Sequence, residues 1–359
     1  MWFAGTSWDE RGYEVAPIHS DGRTAPSVRF EANETAQIVD FLRSLTSDGD
    51  GVTAVIESTN GLLDGPLLTS GVDVLRADPW LLPERQVAGS VPARILAQLA
   101  SDDTDRLVPL DLESGTLKGR MTEYRTEIGR SADTERDLAR AGRFWVRGED
   151  TVRRVALTFD DGPSSPYTEH ILDILHHYDV HATFFCVGLH AQAHPHILAR
   201  IASEGHLLGN HTWSHPFLPD LTRDELRFQV NATNQAIRVV TGLEPTLVRP
   251  PYGSRTPEVL SWLADLGMTT VLWDNDSCDW SMPGPESITA KALSQARNGS
   301  IVLMHDGGGN REQTVTALPP ILESLLEQGY ELVPTNLLAT STGSHPLHGT
   351  NPGMNGRTR

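Results

Sequence analysis

Two groups of side chains in the carboxyl-terminal half of the chain have the types and spacing of a catalytic metal site. Asp160 and Asp161 are adjacent and are followed by the turn residues Gly162-Pro163. His211 and His215 are four residues apart, a spacing that predicts both imidazoles on one face of a helical turn. One carboxylate and two neutral imidazoles leave a coordination position for water, which is typical of catalytic centres. These ligands suit Zn²⁺, and they also accept Co²⁺, Ni²⁺ or Fe²⁺.

Three further polar groups follow in the sequence. Arg249-Pro250-Pro251-Tyr252-Gly253 combines a fixed cation with a rigid turn that presents backbone N–H groups. The other two are Asp276-Ser277-Cys278-Asp279-Trp280 and Leu303-Met304-His305-Asp306-Gly307. Each group alone is usually an ordinary turn, loop or structural side chain. Five of them in order, each at a predicted strand end, indicate one shared site, because α/β folds keep their active sites at the carboxyl ends of strands.

The elements that must position these groups alternate between strands and helices. Short apolar runs predict strands at 155–159, 182–187, 207–209, 270–273 and 300–304. Helical spacing and stop signals predict helices at 168–178, 195–204, 222–241 and 318–327. So many β/α units in succession predict a parallel sheet, either open or closed into a barrel.

The five groups together resemble the ordered motifs of the polysaccharide deacetylase family, also known as carbohydrate esterase family 4 or the NodB-homology domain. The resemblance extends from about Val152 to Leu338, and none of the five motifs is broken. It implies a distorted (β/α) barrel with seven or eight strands. It also implies a metal-dependent hydrolase that removes N-acetyl, and sometimes O-acetyl, groups from sugars.

The resemblance assigns a role to each matching residue. It implies that Asp160 is the catalytic base and that Asp161, His211 and His215 are the metal ligands. Arg249 would pair with Asp160, and the Tyr252 backbone N–H would face the oxyanion. The resemblance also implies that His305 is the general acid and that Asp279 orients it. Trp280 and Leu303 would line the pocket for the acetyl methyl group.

Residues 1–115 also have an α/β pattern. Strands are predicted at 2–17, 27–32, 52–56 and 72–75, with helices at 35–45 and 61–69. The order resembles the ribonuclease-H-like domain of certain transposases. Glu57 fits one acidic position of that fold, but Thr6 and Pro92 stand where acidic residues are expected. Because a two-metal nuclease needs its carboxylate cluster, we expect a degenerate, non-catalytic domain.

Composition shifts divide the rest of the chain. A charged, apolar-poor segment, 116–150, is interpreted as a linker before a deacetylase domain at 151–340. The tail, 341–359, is rich in Gly, Ser, Pro and Asn and is predicted to be disordered. Seven of the histidines that lie outside the motifs in the deacetylase region, including His190, are interpreted as surface or packing residues.

Charge and composition exclude several functions. The chain has 359 residues, 47 acidic against 29 basic, and a formal charge of −18, which opposes binding to phosphate backbones. No apolar run is long enough for a membrane span, and the first residues do not have the pattern of an export signal, so a cytoplasmic location is expected.

The expected partner is an N-acetylated sugar, chitin oligosaccharide or peptidoglycan in type, with one divalent metal ion. The alternatives are an amidohydrolase acting on a small acylated metabolite, a nucleic-acid-binding protein and a pseudoenzyme. The sequence leaves the oligomeric state open.

Overall fold

The amino-terminal region forms a mixed sheet flanked by helices. The computed structural model describes residues 1–46, 49–85, 87–112 and 115–338. The strands of this region within those residues are β1 (Trp2–Asp9), β2 (Gly12–His19), β3 (Val28–Glu31), β4 (Val52–Glu57), β5 (Asp73–Ala77) and β6 (Val108–Pro109). Its helices are α1 (Thr35–Ser44), α2 (Asp64–Thr69) and α3 (Ala93–Asp102). The strand order is β3-β2-β1-β4-β5-β6, with β4 parallel to both β1 and β5 and the other pairs antiparallel.

The segment interpreted as a linker contains regular structure. Within 116–150 the chain forms α4 (Met121–Arg130), α5 (Ala132–Arg140) and the short strand β7 (Phe144–Trp145). β7 is the edge strand on one side of the second sheet, so these residues belong to the fold of the carboxyl-terminal region. The sequence pattern did not indicate this, because α4 and α5 are charged and a two-residue strand has too few residues to show a period.

The carboxyl-terminal region is built on a curled parallel sheet, in agreement with the predicted barrel. Its strands after β7, within the described residues, are β8 (Arg154–Asp160), β9 (Thr183–Cys186), β10 (Leu207–Asn210), β11 (Leu247–Val248), β12 (Thr269–Val271), β13 (Asn275–Asp276), β14 (Ser300–His305) and β15 (Glu331–Leu332). They follow the order β13-β14-β8-β9-β10-β11-β12-β7, and β15 also pairs with β8. Because every pairing is parallel, the carboxyl ends of the strands meet on one side of the sheet.

Helices cover the outside of this sheet. They are α6 (Tyr167–His177), α7 (Gly188–Ala193), α8 (Pro195–Ser203), α9 (Arg223–Thr241), α10 (Pro257–Asp265), α11 (Pro285–Gln295) and α12 (Glu312–Glu327). α9 has the predicted bounds, because Thr222 and Glu225 form a capping box and Gly242 ends it with φ 73°. α12 begins six residues before the predicted start and continues through Pro319 and Pro320. No helix of the described segments has the length and apolar character needed to cross a membrane.

The two regions share a hydrophobic core. Val187, Leu189 and Trp213 of the carboxyl-terminal region pack in the same buried cluster as side chains from β1, β2, β4, α1 and α2. At the edge of this interface Arg85 donates hydrogen bonds to the Glu225 carboxylate, 3.1 Å, and to the Asp220 carbonyl oxygen, 3.1 Å. The amino-terminal region is therefore packed rigidly against the barrel, because separating the two would expose buried apolar surface. The predicted disordered tail lies outside the described residues.

Candidate active site

Asp161, His211 and His215 come together at the carboxyl ends of β8 and β10. Asp161 follows the last residue of β8 and has φ 78°, which turns its side chain out of the strand direction. Its Oδ1 atom lies 3.3 Å from Nε2 of His211 and 3.3 Å from Nε2 of His215. The expectation that the two histidines share a helical turn is wrong. They lie in the loop after β10, where Thr212 and His215 have positive φ angles that reverse the chain locally.

This group has the properties of a metal site. Oδ1 of Asp161 is buried and accepts no hydrogen bond from the described residues. Nδ1 of His211 donates to the Arg249 carbonyl oxygen, 2.7 Å, so its Nε2 presents a lone pair toward Asp161. Burial lowers the pKa of His215 to about 3, which keeps that imidazole neutral. Within the described parts of the chain, this is the one set of three such side chains whose ligand atoms converge within 4.8 Å. A carboxylate and two neutral imidazoles fit a divalent cation.

Asp160 is held by a buried cation. Nη1 of Arg249 donates to Oδ1 of Asp160, 2.8 Å, and to the Thr158 hydroxyl, 2.7 Å. Nε and Nη2 of Arg249 donate to the carbonyl oxygens of Val271 and Leu272, and the guanidinium carbon lies 4.2 Å from the Phe185 ring centroid. Burial lowers the pKa of Arg249 and the Asp160 charge opposes this. The other carboxylate oxygen of Asp160 lies 3.7 Å from Nε2 of His211, so Asp160 lies next to the metal group.

His305 and Asp279 form a second charged pair on the other side of the site. Nδ1 of His305 donates to Oδ1 of Asp279, 2.7 Å, and its backbone N–H donates to Oδ2, 2.8 Å. The Thr314 hydroxyl also donates to Oδ2 of Asp279, 2.7 Å. Burial lowers the pKa of His305, but the Asp279 charge and hydrogen bond outweigh it and raise the pKa to about 9. The ring is therefore cationic at neutral pH, with Nε2 free of this pair.

Tyr252 has an unusual backbone conformation next to the metal group. Its φ is 60°, in the left-handed region, and its ring lies edge-on to His215 with 4.6 Å between ring centroids. The Tyr124 hydroxyl of α4 donates to the Tyr252 carbonyl oxygen, 2.5 Å. A left-handed tyrosine costs about 1–3 kcal/mol and persists where its surroundings fix it. The contact from α4 is one such constraint.

The two residues predicted to line the acetyl pocket differ in exposure. Leu303 is buried in β14, one strand away from Asp160 in β8. Trp280 follows Asp279 and is 44% exposed. The aromatic surface of Trp280 therefore faces solvent at the fourth motif.

Several contributing residues were missed by the sequence interpretation. His190 was expected to be a surface or packing residue, but its Nδ1 donates to the Asp161 carbonyl oxygen, 2.7 Å. Asp306 accepts from the Gly162 N–H, 3.1 Å, and from the Thr168 hydroxyl, 2.6 Å, and so fixes the loop that carries Asp161. Tyr124 and Thr314 lie outside the motifs and reach the site only through tertiary contacts. The one sequence signal that could have indicated these residues was the position of His190 and Asp306 shortly after predicted strands.

The acidic position of the amino-terminal region is engaged in a structural contact. Glu57 is buried at the end of β4, accepts from the Val91 N–H, 2.7 Å, and pairs with Arg85, 3.3 Å. Thr6 is buried within β1, and Pro92 directly precedes α3. The resemblance of this region to a ribonuclease-H-like domain stays a prediction.

A parallel α/β sheet with a carboxylate and two imidazoles at its strand ends, beside the charged pairs Asp160–Arg249 and His305–Asp279, has the arrangement found in metal-dependent hydrolases. Residues 147–271 match the polysaccharide deacetylase family. Two peptidoglycan-N-acetylglucosamine deacetylases of Bacillus cereus are each 40% identical over 50% of this chain, and the matches cover 66% and 84% of their lengths. A chitooligosaccharide deacetylase of Rhizobium leguminosarum bv. trifolii is 39% identical over 50% of this chain and 89% of its own.

A solved structure agrees with these matches. The crystal structure of a peptidoglycan N-acetylglucosamine deacetylase in complex with 4-naphthalen-1-yl-N-hydroxybenzamide superposes with a TM-score of 0.55 and 35% identity. It covers 57% of this chain and 96% of its own. The chain belongs to the polysaccharide deacetylase family and is by class a carbohydrate deacetylase. The matches cover about half of the chain, so the amino-terminal region is an addition to the part shared with these relatives.

Proposed function

We propose that this protein hydrolyses the N-acetyl group of an amino sugar, using one divalent metal ion held by Asp161, His211 and His215. The observation that carries the proposal is the convergence of these three ligand atoms beside two separate charged pairs, Asp160–Arg249 and His305–Asp279. The ion is proposed to be Zn²⁺, because a carboxylate with two imidazoles suits it, and Co²⁺, Ni²⁺ or Fe²⁺ would also be accepted.

Asp160 is proposed as the catalytic base. A bound divalent ion would supply Lewis acidity, making a water more acidic and polarising the amide carbonyl. Asp160 lies next to the ligand group and would accept the proton of the attacking water. The Arg249 guanidinium holds one carboxylate oxygen, which leaves the other to receive that proton.

His305 is proposed as the general acid. An amine leaves poorly unless it is protonated, and the ring paired with Asp279 carries a proton at neutral pH. Asp279 binds the Nδ1–H of that ring, so the transferable proton is on Nε2. The two pairs thus supply a base, Asp160, and an acid, His305, whose environments differ.

Tyr252 is proposed to bind the developing oxyanion through its backbone N–H, a contribution on the order of 3 kcal/mol for one donor. The left-handed φ angle of Tyr252 gives its backbone an orientation that a regular turn of the chain does not have. Leu303 and Trp280 are proposed to contact the acetyl methyl group and the sugar face, respectively. Apolar and aromatic surfaces of this kind suit a methyl group and a pyranose ring.

The proposal is tested by measuring acetate release from N-acetylglucosamine, chitin oligomers and peptidoglycan fragments by mass spectrometry. The protein is compared as prepared, after chelation and after reloading with Zn²⁺. We expect acetate release that is lost on chelation and restored by the ion. Metal-loaded protein that releases acetate from none of these sugars would contradict the proposal.

A further inference from the structure

The amino-terminal region places a turn directly against the metal-binding loops. We define the amino-terminal wall as residues 60–65 together with Thr116. The Gly61 N–H donates to the carbonyl oxygen of Ser214, 3.0 Å, and Ser214 immediately precedes the ligand His215. The wall therefore contacts the loop of the second motif at the backbone of a metal ligand.

A second contact joins the wall to the loop of the fifth motif. Gly65 lies so close to Gly308 that a Cβ atom on Gly65 would be 2.7 Å from the Gly308 carbonyl oxygen. A Cβ atom on Gly308 would in turn be 2.5 Å from Oδ2 of Asp161. One glycine thus separates the wall from a second metal ligand.

A third contact reaches the third motif. Thr116 lies beside the Tyr252 side chain, whose ring lies against His215. The Thr116 hydroxyl donates to Asp64, and the Asn60 side-chain amide donates to Thr116, 3.2 Å. Asn60 also accepts from the Leu63 N–H, 2.9 Å, which ties the turn to Thr116.

The wall is a fixed part of the molecule. The Tyr13 hydroxyl donates to the Gly61 carbonyl oxygen, 2.7 Å, in a buried position. Gly61 and Leu62 have φ angles of 68° and 66°, and a left-handed Leu62 persists only where its surroundings fix it. Leu63 of the same turn is buried in the cluster that contains Trp213, so moving the wall away from the site would expose apolar surface.

The wall and the exposed residues of the site lie at different motifs. The wall meets the second, third and fifth motifs, and the side chains of Asp161, His211 and His215 are each at most 8% exposed. Trp280, in the fourth motif, is 44% exposed. A polymer whose internal sugar reaches the metal must continue past the site in both directions. A site closed on one side accepts a chain end.

We propose that the amino-terminal wall restricts the protein to single amino sugars and to the terminal sugar of oligosaccharides. This inference rests on the proposed function, since it assigns the substrate class of the same site. The wall would act as a specificity determinant by excluding the sugars that follow an internal residue, and the open side near Trp280 would receive the rest of the chain.

The test is the position of deacetylation in chitin oligomers of two to six sugars, read by tandem mass spectrometry with the Zn²⁺-loaded full chain. We expect a single deacetylated sugar at one end of every product. Deacetylation of internal sugars by the unmodified protein would overturn the inference and leave the proposed function standing. Acetate release from no sugar would overturn both.

A paired variant gives a second readout. Asp64→Ala combined with Thr116→Ala removes the two wall side chains nearest Tyr252 and leaves the backbone contacts of Gly61 and Gly65 in place, so internal deacetylation should appear beside the terminal product. A folded paired variant that makes only the terminal product would count against these side chains as the barrier. Thr69→Ala is the matched control, because its hydroxyl is exposed on α2 and bonds only to carbonyl oxygens of that helix. The control should keep the terminal product. If the paired variant does not fold, the product position with the unmodified protein decides the inference by itself.

Discussion

Replacing Asp279 by Asn tests whether this carboxylate sets the protonation of His305. The change keeps the size and one acceptor oxygen but removes the charge that holds Nδ1 of His305 at 2.7 Å. The shift of the His305 pKa from 6.5 to about 9 corresponds to ~3 kcal/mol of preferential stabilisation of the charged ring. Burial, which lowers this pKa, would remain, and the smaller effect of the Asp161 charge, which raises it, would remain as well, so we expect the pKa of His305 in the variant to fall to about 6.5 or below.

The expected consequence is a change in the pH profile of kcat. With a pKa of about 9, roughly 97% of His305 is protonated at pH 7.5, and with a pKa of 6.5 about 9% would be. We therefore expect kcat at pH 7.5 to fall at least about tenfold. The alkaline limb, near pH 9 in the parent, should move to about pH 6.5 or below. Amine release from an acetylated sugar, measured between pH 5 and 10, reports both quantities.

Thr314→Val is the matched control for this experiment. It removes one hydrogen bond to Oδ2 of Asp279 without removing the charge, so its alkaline limb should stay near that of the parent. The reasoning is refuted if Asp279→Asn loses activity while its alkaline limb stays in place. The charged pair also stabilises the folded protein below pH 6.5, and this contribution should disappear as the pH rises through about 9.

Four further substitutions test the proposed base and metal ligands, the proposed oxyanion residue and the packing between the two regions. Asp160→Asn should abolish turnover and keep the metal, whereas His211→Ala should lose the metal. Elemental analysis and an activity assay of each variant measure both effects. Full activity in either variant would contradict the assignment. Tyr124→Phe removes the hydrogen bond to the Tyr252 carbonyl oxygen and should lower kcat roughly fivefold, or about 1 kcal/mol, with KM unchanged in steady-state kinetics; a change confined to KM would count against it. Gly188→Ala places a Cβ atom 2.3 Å from the Trp213 ring. The free energy of unfolding, measured by urea denaturation, should therefore fall by about 1–3 kcal/mol. An unchanged free energy of unfolding would show that the ring is free to move.

The sequence by itself indicated which residues form the candidate site and determined the plan of the sheet. Apolar runs such as 155–159 predict strands, and acidic or imidazole residues follow them directly. In a parallel sheet the carboxyl ends of the strands must meet on one side, which brings these residues together. α9 was predictable because its capping box and Gly242 are local signals. These features depend on neighbours along the chain, so they can be read without knowing the fold.

Tertiary structure alone decided how the site is enclosed. The loop geometry of His211 and His215, the short strand β7 and the contact of Tyr124 with Tyr252 depend on residues far apart in the sequence. The hydrogen bond from Gly61 to Ser214 joins two regions separated by about 150 residues, and nothing in either segment indicates it. Such contacts form because the two regions bury a common apolar core, and that packing brings the amino-terminal turn to the metal-binding loops.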